Sequence, residues 1–258
     1  MKITLLGTGT SVGIPSLGPL GWGKCNPLNP KNKRQRCSVL IETNDTNILI
    51  DAGPDIKNQL IGYNLNSLNA IIITHEHSDH ISGLDELRPF YFYKQEKIDI
   101  YTIERTANFI LNRFDYLFKK NEKSQSYFKP PMSLNILNYY DEINFNGINI
   151  KTIKQHHGVI DTIGLIINDK FAYCTDVVDF PDNSFNKLKN LDTLVITGLR
   201  STPHIAHAHF DLTFSWIKEL KPKKAFLTHL SPDSDHDYVL SLCPKNVEPA
   251  FDNMVFNI

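Results

Sequence analysis

Three histidines and two acids fall within six positions at His75-Glu76-His77-Ser78-Asp79-His80. The run before them, Ile71-Ile72-Ile73-Thr74, is apolar on both faces and β-branched, the pattern of a short buried strand. On an extended chain His75 and His77 point to the same side, because side-chain direction repeats every second residue. Ser78 or Asp79 can cap a helix over Ile81 to Leu87, and that turn swings Asp79 and His80 back toward the two histidines. Imidazole nitrogens beside a carboxylate are ligands for zinc or a similar first-row metal. The bland alternative is a polar strand end carrying surface histidines. Three His and one Asp packed as H-x-H-x-D-H argue against it.

Three later stretches share this grammar of a strand ending in a ligand-capable residue: Gln155-His156-His157-Gly158, Tyr173-Cys174-Thr175-Asp176-Val177 and Phe226-Leu227-Thr228-His229-Leu230-Ser231. Loops at strand ends are where sites are built, because the sheet fixes their positions. Taken singly, His157 and His229 read as structural histidines and Asp176 as a turn or cap residue.

The elements that must carry these residues are legible in outline. Strands are expected over Lys2 to Leu6, Cys37 to Glu42, Asn47 to Asp51, Ile98 to Thr102, Leu134 to Asn138, Ile148 to Lys154, Thr162 to Ile167, Lys170 to Cys174, Leu191 to Thr197, Lys224 to Thr228 and Met254 to Phe256. Helical signals cover Pro54 to about Gly62, Ile81 to Tyr93, Glu104 to Phe118, Ser184 to Lys189, Leu212 to Leu220 and Asp235 to Leu242. The glycines of Gly7-Thr8-Gly9-Thr10-Ser11-Val12-Gly13 miss the dinucleotide-binding spacing, and a turn-rich loop follows where a helix should. That loop, Ile14 to Arg36, divides evenly between a functional and a solvated-surface reading. Residues 119–133 are expected as a loop or lid. Helices accompany strand clusters in both halves, and no composition break marks a second domain. An α/β (α+β) fold follows, a four-layer αββα sandwich of two mixed sheets in one domain over 1–258.

With 258 residues, 41% hydrophobic and 21% charged, the composition is that of a soluble globular chain. The formal net charge of −1 argues against broad nucleic-acid binding. No segment has the length of a membrane span, and the apolar start is too short for a signal peptide. Scattered Cys25, Cys37, Cys174 and Cys243 read as reduced thiols, so a cytoplasmic location is expected.

In order along the chain, these motifs resemble the full set of the metallo-β-lactamase superfamily. The resemblance implies that His75, His77 and His157 bind one divalent metal, that Asp79, His80 and His229 bind a second, and that Asp176 bridges them. His157 is chosen over His156 because the family ligand sits just before a small residue, here Gly158. Zinc, manganese and iron all suit such ligands. Two cations about 3.5–4 Å apart can lower the pKa of a shared water toward 7 and clamp a phosphate ester during in-line displacement. Asp79 is thereby both ligand and catalytic residue.

The stretch Leu199 to Asp211 looks most like the phosphoribosyl 1,2-cyclic phosphate phosphodiesterase branch. That likeness implies that His209, just before a helix, protonates the leaving oxygen; by their side-chain chemistry Arg200 and His204 are expected to hold phosphate. His207 is read as a surface or local structural residue. Some branch members carry an extra structural zinc on loop cysteines and a later histidine. Here the loop has only Cys25, with Cys37 at its end, and Pro232 stands where that histidine would fall, so no third zinc is expected. The leading expectation is a dinuclear phosphodiesterase acting on a small (cyclic) phosphate ester, with a homodimer suggested by the family. A tRNA 3′-processing endonuclease, a glyoxalase-type thioesterase and a non-catalytic metal-binding scaffold are the alternatives.

Overall fold

The computed structural model describes residues 1–119 and 129–258. Fourteen strands occur in it: β1 (Lys2–Gly7), β2 (Ser38–Glu42), β3 (Asn47–Ile50), β4 (Ala70–Ile72), β5 (Ile98–Ile103), β6 (Met132–Leu137), β7 (Glu142–Phe145), β8 (Ile148–His157), β9 (Ile160–Ile167), β10 (Phe171–Cys174), β11 (Thr193–Thr197), β12 (Lys224–Thr228), β13 (Val247–Pro249) and β14 (Met254–Asn257). They form two seven-stranded sheets, ordered β14-β1-β2-β3-β4-β5-β6 and β13-β12-β11-β10-β9-β8-β7. The helices are α1 (Ile56–Leu60), α2 (Ser78–Ile81), α3 (Arg88–Lys94), α4 (Glu104–Arg113), α5 (Asp115–Phe118), α6 (Asp182–Lys187), α7 (Phe210–Leu220) and α8 (His236–Leu242).

Strand alternation sorts the apolar residues into layers. Ile48, Ile50 and Ile72 of the first sheet pack against Ile163, Leu165 and Val195 of the second, making the central core. Their neighbours Leu49 and Ile71 face outward and bury Ile56, Ile81 and Ile110 of the helices. On the far side, Ile166, Ile196 and Leu227 meet Phe210, Ile217 and Val239. These contacts are the four αββα layers expected.

Several boundaries differ from the sequence reading. The helix expected over Ile81 to Tyr93 is three pieces: α2, a 3-10 turn at Leu84–Leu87, and α3. Gly83 lies so close to Gly53 that a Cβ would sit 2.0 Å from the Gly53 carbonyl oxygen, so backbone contact interrupts the helix there. His77, rather than Ser78 or Asp79, occupies the N-cap of α2, and it makes no capping hydrogen bond. The helix expected over Glu104 to Phe118 breaks at Phe114, whose φ of −130° is not helical. Gly7 owes its identity to packing: a Cβ would lie 1.9 Å from the Arg36 carbonyl oxygen. Of the segment expected as a lid, residues 120–128 lie outside the described residues, and Met132 and Ser133 belong to β6.

Candidate metal centre

Five segments at strand ends converge on one cluster. His75, His77, Asp79 and His80 follow β4, His157 closes β8, Asp176 follows β10, and His229 follows β12. His207 joins them from the connection between β11 and α7. Ligand-capable atoms group as His75, His77 and His157, as Asp79, His80 and His229, as His75, His80 and Asp176, and as His157, Asp176 and His207.

Asp176 sits between the two histidine sets. Its Oδ1 lies 3.2 Å from His229 Nε2 and 3.8 Å from His157 Nε2, while its Oδ2 lies 3.3 Å from His80 Nε2. A φ of 54° at Asp176 and 57° at His229 shows both residues held in the left-handed region, a strained conformation for a non-glycine residue. Asp79 Oδ2 approaches His80 Nε2 at 3.2 Å and His229 Nε2 at 3.9 Å.

Outer contacts aim the rings. Asp51 Oδ2 accepts from His80 Nδ1 at 2.7 Å and from Thr74 Oγ1 at 2.9 Å. Because that hydroxyl donates to Asp51, its oxygen is left to accept from His75 Nδ1 at 3.0 Å. His157 Nδ1 donates to the Ala206 carbonyl at 2.7 Å. Each of these bonds fixes a tautomer that turns the bare Nε2 inward, as second-shell partners of metal-ligating histidines do. Three ring nitrogens then converge, with His77 Nδ1 3.0 Å from His75 Nε2 and 3.3 Å from His157 Nε2.

This cluster tests well as a cation site. Buried His80 Nε2 and His229 Nε2 have carboxylate neighbours yet make no aligned hydrogen bond, and His229 Nδ1 has no partner among the described residues. Lone pairs that face one another across a buried gap repel unless a cation lies among them. Burial lowers the His80 pKa, but Asp51, Asp79 and Asp176 reverse that and raise it well above the ordinary imidazole value. Burial likewise raises Asp176, and His229 and His80 outweigh it to hold the carboxyl well below the usual range. His75, buried and beside His80, is pushed well down. The donor set of imidazoles and carboxylates suits zinc, manganese or iron.

The adjacent pair separates cleanly. His157 is buried in the cluster, whereas the 38%-exposed His156 side chain pairs with Asp161 at 2.7 Å. His207, read from the sequence as a surface or local structural residue, lies against the cluster. Its side chain is 13% exposed, with Nδ1 3.7 Å from Asp176 Oδ1 and its ring stacked on His229 at 4.6 Å. The cause is a fold-back of the chain: Ala208 N donates to the Val177 carbonyl at 2.7 Å, drawing its neighbour over Asp176. His209 is instead the N-cap of α7, and its side chain makes no hydrogen bond or ion pair with a described residue. His204 packs against His207 at 5.1 Å, and burial and nearby Arg200 lower its pKa. Arg200 Nε reaches the Thr202 carbonyl at 3.4 Å on an exposed turn.

Two contributors escaped the sequence reading, Asp51 and Glu76. Asp51 ends the strand Asn47 to Asp51, so the strand-end rule could have found it. Glu76 is buried and accepts from Arg105 Nε at 2.6 Å and Thr106 Oγ1 at 3.0 Å, fixing the backbone between His75 and His77 to α4. Cys25 Sγ donates to the Pro232 carbonyl at 3.4 Å, and Cys37 is buried against Gly9 and Thr228.

Residues 46–230 match the beta-lactamase superfamily domain. The chain is 29% identical to a protein named octanoyltransferase from Porphyromonas gingivalis, over 98% of this chain and 51% of that one. It is 28% identical to a ribonuclease Z from Saccharolobus solfataricus, over 67% of this chain and 54% of that one. It thus spans about half the length of the curated relatives it matches. A crystal structure described as a new diphosphatase from the PhnP family superposes with a TM-score of 0.89 and 28% identity, covering 100% of this chain and 97% of the other. The chain belongs to the beta-lactamase superfamily and shares the metallo-β-lactamase fold of that PhnP-family structure.

Proposed function

We propose that this chain is a dinuclear metal-dependent phosphodiesterase acting on a small phosphate ester. The observation that carries the reading is Asp176 lying between the His75–His77–His157 set and the Asp79–His80–His229 set. His75, His77 and His157 would hold one ion, Asp79, His80 and His229 the other, and Asp176 both. Two such ions would supply Lewis acidity at phosphorus and a water acidic enough to ionise near neutral pH.

The chain's own residues then have separate tasks. Asp51, Thr74 and the Ala206 carbonyl keep the ligating imidazoles in one tautomer. His207 faces the reacting group as a neutral imidazole, since burial and His229 push its pKa down to about 2. Its Nδ1 lies 3.7 Å from Asp176 Oδ1, which holds the ring beside the centre, where it suits a hydrogen bond to the leaving oxygen. His204 and Arg200 border that side and suit the non-bridging phosphate oxygens. Similarity to a diphosphatase extends the substrate class to phosphoanhydrides, in which the same oxygens are clamped. Similarity to ribonuclease Z makes RNA a second substrate class, and the net charge of −1 argues against it. Octanoyl transfer is not carried over, because about half of that relative is unmatched. Metal-loaded protein is expected to hydrolyse bis(p-nitrophenyl) phosphate and to lose that activity on chelation. Two bound metals without turnover would overturn the proposal.

A further inference from the structure

Arg34 is among the largest fully buried side chains, at 1% exposure. It forms no ion pair with a described carboxylate, and its Nε and Nη2 have no hydrogen-bond partner. Burying a guanidinium this way is costly, and an apolar residue of equal size would serve packing better. One polar contact is well made: Nη1 donates to the Ser234 carbonyl at 3.1 Å. Arg34 is itself anchored, since its N–H and carbonyl both pair with Ile14, at 2.8 and 2.7 Å.

Ser234 connects that contact to the metal centre. Its hydroxyl donates to the Leu199 carbonyl at 2.8 Å, which also accepts from Ser231 N at 3.0 Å. Leu199 N in turn donates to the Ala208 carbonyl at 3.0 Å, beside His207. At the other end of the turn, Leu230 N donates to the Thr8 carbonyl at 3.0 Å, directly after His229 and its left-handed backbone. The loop 14–36 thus reaches both His229 and His207 through one buried turn.

We infer that Arg34 is a positioning residue for the metal centre, holding the 230–234 turn so that His229 and His207 keep their places. The inference rests on the phosphodiesterase reading only for its kinetic readout. Arg34→Met keeps the bulk and removes the charge and the donor. The expected variant has a melting temperature equal to or above wild type, because a buried cation without a direct ion pair is gone. Its kcat on bis(p-nitrophenyl) phosphate should fall about tenfold or more with little change in KM, as small misplacements of catalytic groups do. The visible absorption of the Co2+-loaded protein should change as well, because His229 geometry moves. Arg34→Lys, retaining a cationic donor, should recover part of both. A Met variant with wild-type kcat and an unchanged Co2+ spectrum overturns the inference. Should that variant fail to fold, Arg34→Gln, shorter and uncharged, decides by the same signature. Should wild type turn over no phosphodiester, the function proposal falls separately, and the Co2+ spectrum alone supports or overturns the role of Arg34.

Discussion

Asp51 is the sharpest place to perturb the centre without touching a ligand. It is fully buried and accepts from Thr74 N at 2.8 Å, Thr74 Oγ1 at 2.9 Å and His80 Nδ1 at 2.7 Å. Asp51→Asn is isosteric, and its amide oxygen can keep Thr74. Its NH2 group must then face His80 Nδ1, setting donor against donor. The imidazole escapes by moving its proton to Nε2, the nitrogen that looks toward Asp79 and Asp176. That removes the lone pair a metal needs. Outer-shell changes of this kind cost about 10–100-fold in metal affinity, and a wrong tautomer belongs at the upper end. A hundredfold loss corresponds to ~2.8 kcal/mol at ~1.4 kcal/mol per tenfold. The loss should fall on the Asp79–His80–His229 set and spare His75, His77 and His157. Competitive chelator titration of metal-free protein with Zn2+ resolves two affinities. Equal weakening of both, or of neither, would refute the reasoning.

Other expectations follow from the same geometry. His207→Ala should lower kcat about tenfold or more for a phenyl leaving group, by loss of one hydrogen bond to the departing oxygen, and less for p-nitrophenyl, which needs little help to depart; the same pattern in His209→Ala instead would move the role to His209. Asp176→Asn should reduce occupancy of both metals, read as metal per chain by elemental analysis, and unchanged content would contradict a bridging role. Burial raises the Asp252 carboxyl to about 7 despite hydrogen bonds from Thr8 and Gln35. The folded chain therefore holds this proton longer than the unfolded chain, and stability from this group, full below pH ~4, is lost as pH rises to about 7. Asp252→Asn should gain on wild type in urea midpoint between about pH 5 and pH 8, and an unchanged difference would refute the shift.

The strand ends were readable because a site of this kind concentrates unusual residue types at short spacing. His75, His77, Asp79 and His80 announce themselves, and the structure brings His157, Asp176 and His229 to the same place. Layer order was readable too, because Ile48, Leu49 and Ile50 alternate between two buried faces. What stayed hidden depends on contacts remote in sequence. Gly83 interrupts a helix because Gly53 lies against it. His207 reaches Asp176 only because Ala208 pairs with Val177. Asp51 has no motif of its own, and its role exists only through His80 and Thr74. Arg34, in a loop divided evenly between function and surface, becomes interpretable once its burial and the Ser234 carbonyl are seen.

The central claim is that Asp176 joins two cation sites in one centre. Anomalous diffraction from crystals of Zn2+-loaded protein, collected across the zinc edge, tests it most directly. Two peaks flanking the Asp176 carboxylate are predicted, at about 3.5–4 Å separation. One bears on His75, His77 and His157, the other on Asp79, His80 and His229. A single peak, or two peaks of which only one contacts Asp176, would contradict it.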